Sequence, residues 1–160
     1  MTETILKMQK KVKRYLDKDR YDHTIGVMHT AGCLAMRYGA DLEKALIAGL
    51  LHDCAKCVPS AEKIKLCERN HIEISEAEYQ NPGLLHAKLG AFFARKKYGI
   101  EDEEILRSIE SHTTGRPKMS LLDKIIYIAD YMEPGRDVAP NLPEVRALAF
   151  VDLDACLYRI

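Results

Sequence analysis

The groups in this chain best placed for chemistry are a dipeptide, His52-Asp53, and four others set among apolar neighbours: His23, His86, His112 and Asp130. The run Ala45-Leu46-Ile47-Ala48-Gly49-Leu50-Leu51 leads straight into His52 and Asp53, with Lys56 three positions further. Ionisable groups at the end of a core-like segment are costly unless paired or bound to a metal. An imidazole beside a carboxylate offers one borderline nitrogen and one hard oxygen to a common point. Taken singly, each histidine fits a core residue satisfied by a backbone carbonyl. Together, six N and O donors from five apolar segments suit a mononuclear metal site, or a dinuclear one bridged by a carboxylate. No thiolate belongs to the set, which disfavours structural zinc.

These groups need helices to position them. Ile5, Leu6, Val12, Tyr15 and Leu16 form an apolar stripe over Thr4–Asp17, and the lysines from Lys7 to Arg14 read as its wet face. From about Tyr21, the series His23, Val27, Ala31, Leu34, Tyr38 steps by three or four up to a stop at Gly39, so His23 shares the inner face of a second helix. Asp41 caps a third, apolar nearly all round to Leu51. Ser60 is expected to cap a short charged helix to about Asn70, and Ile72 with Ile74 is too brief for a strand. Asn81-Pro82-Gly83 breaks the chain before a helix over Leu84–Tyr98 that carries His86 in its first turn. Asp102 opens the helix ending near His112, and Ser120 with Asp123 forms a capping box for Leu121–Met132, which carries Asp130. A last amphipathic segment is expected over Glu144–Ile160; its apolar face fits a homodimer and equally fits internal packing. The class is all-α, a single-domain helical bundle over 1–160, with the metal-binding core at about 20–136.

Lys plus Arg and Asp plus Glu both total 24. No net field draws a polyanion, which argues against a general nucleic-acid binder. Five cysteines, an odd number with no preceding secretory signal, favour a reduced, cytoplasmic setting. No apolar run approaches the ~20 residues of a membrane span.

The segments Arg20-Tyr21-Asp22-His23-Thr24, Leu51-His52-Asp53-Cys54-Ala55-Lys56, Leu85-His86-Ala87, Ser111-His112-Thr113-Thr114-Gly115 and Ile128-Ala129-Asp130-Tyr131 resemble the H…HD…H…H…D signature of HD-domain metal phosphohydrolases. With LLDKIIYIADYMEPGR over Leu121–Arg136, the chain resembles the YqeK family, the bacterial symmetrical diadenosine tetraphosphate hydrolases, across residues 5–155. The resemblance implies an iron-containing HD-domain bundle that cuts diadenosine tetraphosphate into two ADP. It implies His23, His52, Asp53 and Asp130 as ligands of a first ion, with His86 and His112 completing a second site bridged by Asp53. Members of the family continue into further C-terminal helix. Imidazole and carboxylate alone suit Fe, Mn, Zn or Co, so iron rests on the resemblance.

Phosphoanhydride cleavage needs a water made acidic by a metal, and cations aimed at the spreading oxygen charge. His52, Asp53 and Lys56 are therefore expected to be catalytic. The substrate is expected to lie over His23, Asp53, His86, His112 and Asp130, with Arg20 and Arg136 neutralising phosphates and the turn Gly83, Leu84, Leu85, His86 donating N–H groups. Arg116 is a weaker candidate, favoured as a surface cation. Tyr127 and Tyr131 read first as core and second as a stacking surface for a base. Cys54 and Cys57 make a CxxC with no partner pair and no βαβ context, while His29 and His71 are expected to be solvated. The partner is a small nucleotide, and an ADP- or GDP-like product is expected to stay bound. Rival readings are an HD phosphohydrolase acting on a dNTP, a 5′-nucleotide or guanosine tetraphosphate, and a nucleotide-sensing module without turnover.

Overall fold

A computed structural model describes residues 1–160. The helices are α1 Glu3–Val12, α2 Lys18–Tyr38, α3 Leu42–Leu51, α4 Ser60–Arg69, α5 Glu76–Gln80, α6 His86–Tyr98, α7 Glu103–Ser111, α8 Leu121–Met132, α9 Leu142–Leu148 and α10 Leu153–Arg159, with a 3-10 turn at Pro82–Leu85. There are no strands, so the all-α expectation holds. No helix is long and apolar enough to cross a membrane.

The long helix α2 packs along α3 and α8, and α7 packs against α6, α8 and α3. Val27, Met28, Leu50, Leu51, Ile109, Ile125 and Ile128 fill the space between them. At the α2–α3 crossing a Cβ on Gly49 would lie 2.9 Å from the Met28 Cα. Glycine there lets the two backbones approach, which draws α2 and its His23 close to the end of α3. A second, smaller core of Cys54, Ala55, Cys67, Leu85, Leu89 and Phe93 fastens α4 and α6 beneath the His52-Asp53 turn.

Three boundaries depart from expectation. The first helix ends at Val12, and a turn through Leu16 delivers Asp17, whose carboxylate caps α2 at the Arg20 N–H. α4 starts at Ser60 with Pro59 in the cap position and no side-chain cap, so Ser60 is the first helical residue instead of its cap. The C-terminal segment is two helices, because Asp152 accepts from the Asp154 and Ala155 N–H groups and restarts the chain. The apolar face of α10 turns inward through Leu153 and Cys156. Helix α5, held by a Ser75–Glu78 capping box, has no counterpart in the sequence reading. The Ser120–Asp123 box is present as read.

Candidate metal centre

The six donors come from five places in the bundle: His23 from the second turn of α2, His52 and Asp53 from the end of α3, His86 from the start of α6, His112 just past α7, and Asp130 from the last turns of α8. Three histidines are oriented in one way. The Nδ1–H of His52 donates to Gly49 O at 2.7 Å, that of His86 to Gly83 O at 2.6 Å, and that of His112 to Ile109 O at 2.7 Å. Each acceptor is the carbonyl three residues earlier. A carbonyl only accepts, so Nδ1 carries the proton and Nε2 carries the lone pair in the neutral ring. His23 is held instead by the carboxylate of Glu133, at 3.0 Å from its Nδ1.

All four Nε2 atoms converge on the two aspartates. His23 Nε2 lies 3.0 Å from Asp130 Oδ1, and His52 Nε2 lies 3.8 Å from the same oxygen and 3.6 Å from Asp53 Oδ2. On its other side, Asp53 Oδ1 lies 3.2 Å from His86 Nε2 and 3.5 Å from His112 Nε2. Two donor triads satisfy the spacing of a metal site, His23–His52–Asp130 and His52–Asp53–His112, with His52 common to both. Donors about 2.0–2.2 Å from one ion can stand up to roughly 4 Å apart, so these separations suit shared ions. The buried His23 Nε2, His52 Nε2 and Asp53 Oδ1 have no hydrogen-bond partner. Lone pairs facing carboxylate oxygens in a dry site repel one another unless a cation stands between them. The donor set therefore fits a divalent metal.

Burial pushes the His52 imidazole down to about 4 and lowers His86 as well, which keeps both rings neutral and able to ligate. Burial alone would raise the Asp53 and Asp130 carboxyls. In the acid range, where the rings take up protons, the surrounding imidazoles, His52, His112 and His86 around Asp53 and His23, His52 and His112 around Asp130, outweigh it and hold both below the ordinary carboxylate range.

Cations stand at the rim. Arg20 Nη1 donates to Asp53 Oδ2 at 2.9 Å with its side chain 28% exposed. Arg136 donates from Nη2 to Asp130 Oδ1 at 2.8 Å and from Nε to the Asp130 carbonyl, and is 38% exposed. Lys56 Nζ lies 3.1 Å from His86 Nε2. Arg116 is elsewhere: it pairs with the buried Asp123 at 2.6 Å and fastens its loop to the start of α8. The expected phosphate-binding turn has some of its donors engaged. The Leu84 N–H is taken by Asn81 O and the His86 N–H by Gly83 O, while the Leu85 side chain is fully buried in the smaller core. The turn serves the site through the Gly83 carbonyl. Tyr127 and Tyr131 line a cavity with His112, Thr113, Asp130 and Arg136, and Tyr131 also packs on the main core. His29 and His71 are exposed, and Cys54 and Cys57 are free thiols held apart by different partners, the Gly90 carbonyl and Asp17.

Two residues at the site were not read from the sequence. Thr113 Oγ1 lies 3.2 Å from His86 Nε2 and 3.1 Å from His112 Nε2; its position next to His112 was the available signal. Glu133 follows Asp130 by three, a spacing that puts both on one face of a helix end.

Comparison with known proteins identifies the family. Residues 20–135 match the family model of the HD domain. The chain is 47% identical over 146 residues to symmetrical bis(5′-nucleosyl)-tetraphosphatases of Bacillus subtilis and of Halalkalibacterium halodurans, covering 91% of this chain and 77% of each relative. It also resembles the crystal structure, at 1.50 Å, of a predicted HD superfamily hydrolase involved in NAD metabolism from Clostridium acetobutylicum, with a TM-score of 0.92, 47% identity, and coverage of 96% of this chain and 80% of that one. The chain belongs to the HD domain family and, within it, to the branch of symmetrical bis(5′-nucleosyl)-tetraphosphatases.

Proposed function

We propose that this chain is a metal-dependent hydrolase that cuts diadenosine tetraphosphate symmetrically into two ADP, with iron as its metal. The observation that carries the chemistry is the convergence of four Nε2 lone pairs on Asp53 and Asp130; the tetraphosphatase relatives supply the substrate class. A metal held by His23, His52, Asp53, Asp130, His86 and His112 supplies an acidified water at neutral pH and polarises phosphoryl oxygens. The chain's own residues do the rest. Asp53 turns one oxygen toward His52 and the other toward His86 and His112, so its carboxylate would help hold the metal on both sides. Arg20 and Arg136 each spend part of a guanidinium fork on a ligand carboxylate, and the remaining donors face solvent for phosphate oxygens. Lys56, beside His86, neutralises charge on the leaving side. Water adds at an inner phosphorus, the bridging oxygen departs with the second ADP, and no protein nucleophile is consumed. The cavity beside Asp130, walled by Tyr127 and Tyr131, takes one nucleoside.

The product keeps half of these phosphate contacts, so a nucleoside diphosphate is expected to copurify. Five free cysteines accord with a reducing cytoplasm. Purified protein incubated with diadenosine tetraphosphate should release ADP alone; ATP plus AMP, or no turnover with iron or manganese, rejects the reading. Elemental analysis of anaerobically purified protein tests the iron.

A further inference from the structure

We infer that Glu133 is a positioning residue for the metal centre: its buried carboxylate fixes the ring and tautomer of His23 and makes Nε2 a stronger donor. The inference rests on His23 being a ligand. Glu133 is 3% exposed, and no lysine or arginine side chain lies against its carboxylate. A buried carboxylate without a cation is held only by hydrogen bonds. Oε1 accepts from His23 Nδ1–H at 3.0 Å and Oε2 from the Gly135 N–H at 2.6 Å.

The surroundings are shaped around that carboxylate. A Cβ on Gly26, one turn after His23, would stand 2.3 Å from Oε2, and one on Gly135 would stand 3.0 and 3.1 Å from the two oxygens. Both glycines leave the slot open. Arg146 ties down the chain behind it, donating to the carbonyls of Met132, Glu133 and Arg136 at 3.0, 2.9 and 2.7 Å. The carboxylate thus has a fixed location on a segment that would otherwise be a free loop end.

The contrast with the other histidines gives the role. His52, His86 and His112 are each oriented by a neutral carbonyl in their own turn. His23 alone uses a charged acceptor, from 110 residues away. An anionic acceptor on Nδ1–H pushes density to Nε2, and such partners of metal-bound histidines typically change affinity 10–100-fold when removed. Glu133 also sits on the segment that follows Asp130, so one contact locks α2 to the end of α8 and sets the spacing of the His23–Asp130 pair, 3.0 Å.

The test is a titration of metal-free protein with Mn2+, read by calorimetry, on wild type, E133A, E133Q and H23A, with 15N NMR of the histidine rings. E133A should weaken Mn2+ binding about 10–100-fold and abolish the single Nδ1–H tautomer of His23. E133Q, which keeps an accepting oxygen without charge, should retain the tautomer and lose less affinity. Wild-type affinity in a folded E133A overturns the inference, as does a fall in melting temperature with unchanged Mn2+ binding, the mark of a purely structural residue. Should E133A not fold, E133Q decides: wild-type affinity refutes the role, and a loss smaller than that of H23A supports it. Wild type that binds no Mn2+, or H23A that binds it unchanged, overturns the reading of the site itself.

Discussion

The two ends of the centre are built by opposite means. Around Asp53, the His52, His86 and His112 rings are each held by the carbonyl three residues back, and all three are buried. Around Asp130, His23 depends on a distant carboxylate, Asp130 is clasped by Arg136, and both are partly exposed. The first end is specified by helix geometry and survives as long as its helices do. The second exists only when α2 and the end of α8 are docked. That difference teaches which end is the adjustable one: the tyrosine-lined cavity touches both, through Asp130 and Arg136 on one side and His112 and Thr113 on the other, but only the Asp130 end depends on long-range docking.

The contrast can be broken most severely at His52, the one donor common to both triads. H52A should bring ADP release to background and empty both ends of metal, measured by product assay and elemental analysis; retention of a full metal complement would show that the ends are independent. Acid tests the buried end by itself in metal-free protein. Folded His52 titrates near 4 against an ordinary 6.5. Between these values the unfolded chain binds a proton that the folded chain excludes, so stability is full above about pH 6.5 and falls as pH drops. The loss should reach about 3 kcal/mol at pH 4 from His52, with His86 adding in the same direction. Urea melts that are flat from pH 7 to 4.5 would contradict this.

A smaller effect separates the ends physically. In G49A the new methyl meets the Met28 backbone, and forcing α2 off α3 should cost about 1–3 kcal/mol and lower metal affinity through the His23 end first. An unchanged melting temperature would remove Gly49 as the reason for the close crossing. The smallest effect on the site is expected away from the rim: R116A leaves the buried Asp123 without its cation and should cost about 1–3 kcal/mol of stability, with KM within about twofold of wild type. A large rise in KM would restore Arg116 to the phosphates.

How much of this was legible follows the same division. His52, His86, His112, Asp53 and Asp130 stood out because a polar group inside an apolar run is visible locally, and His23 because it fell on an apolar helical face. Glu133 was hidden because Pro134-Gly135 marked it as a helix end, and its partner lies 110 residues away. The Gly83–His86 turn was read as an anion site from its position at a helix start. The Leu84 and His86 N–H groups are taken by the turn itself, which only the backbone path reveals. The C-terminal break at Asp152 escaped for a similar reason, since an acidic residue inside an amphipathic stripe looks like a solvated position until it is seen capping α10.

The carbonyl-anchored histidines have one more consequence. A ring pinned at Nδ1 has both its side-chain torsions fixed before any ion arrives, so three donors give up almost no conformational entropy on capture, where a free side chain would lose about 0.5–1.5 kcal/mol. Uptake at the Asp53 end is then governed by the shedding of water from the incoming ion and not by a search among side-chain poses, so this end should load faster than one assembled by loops.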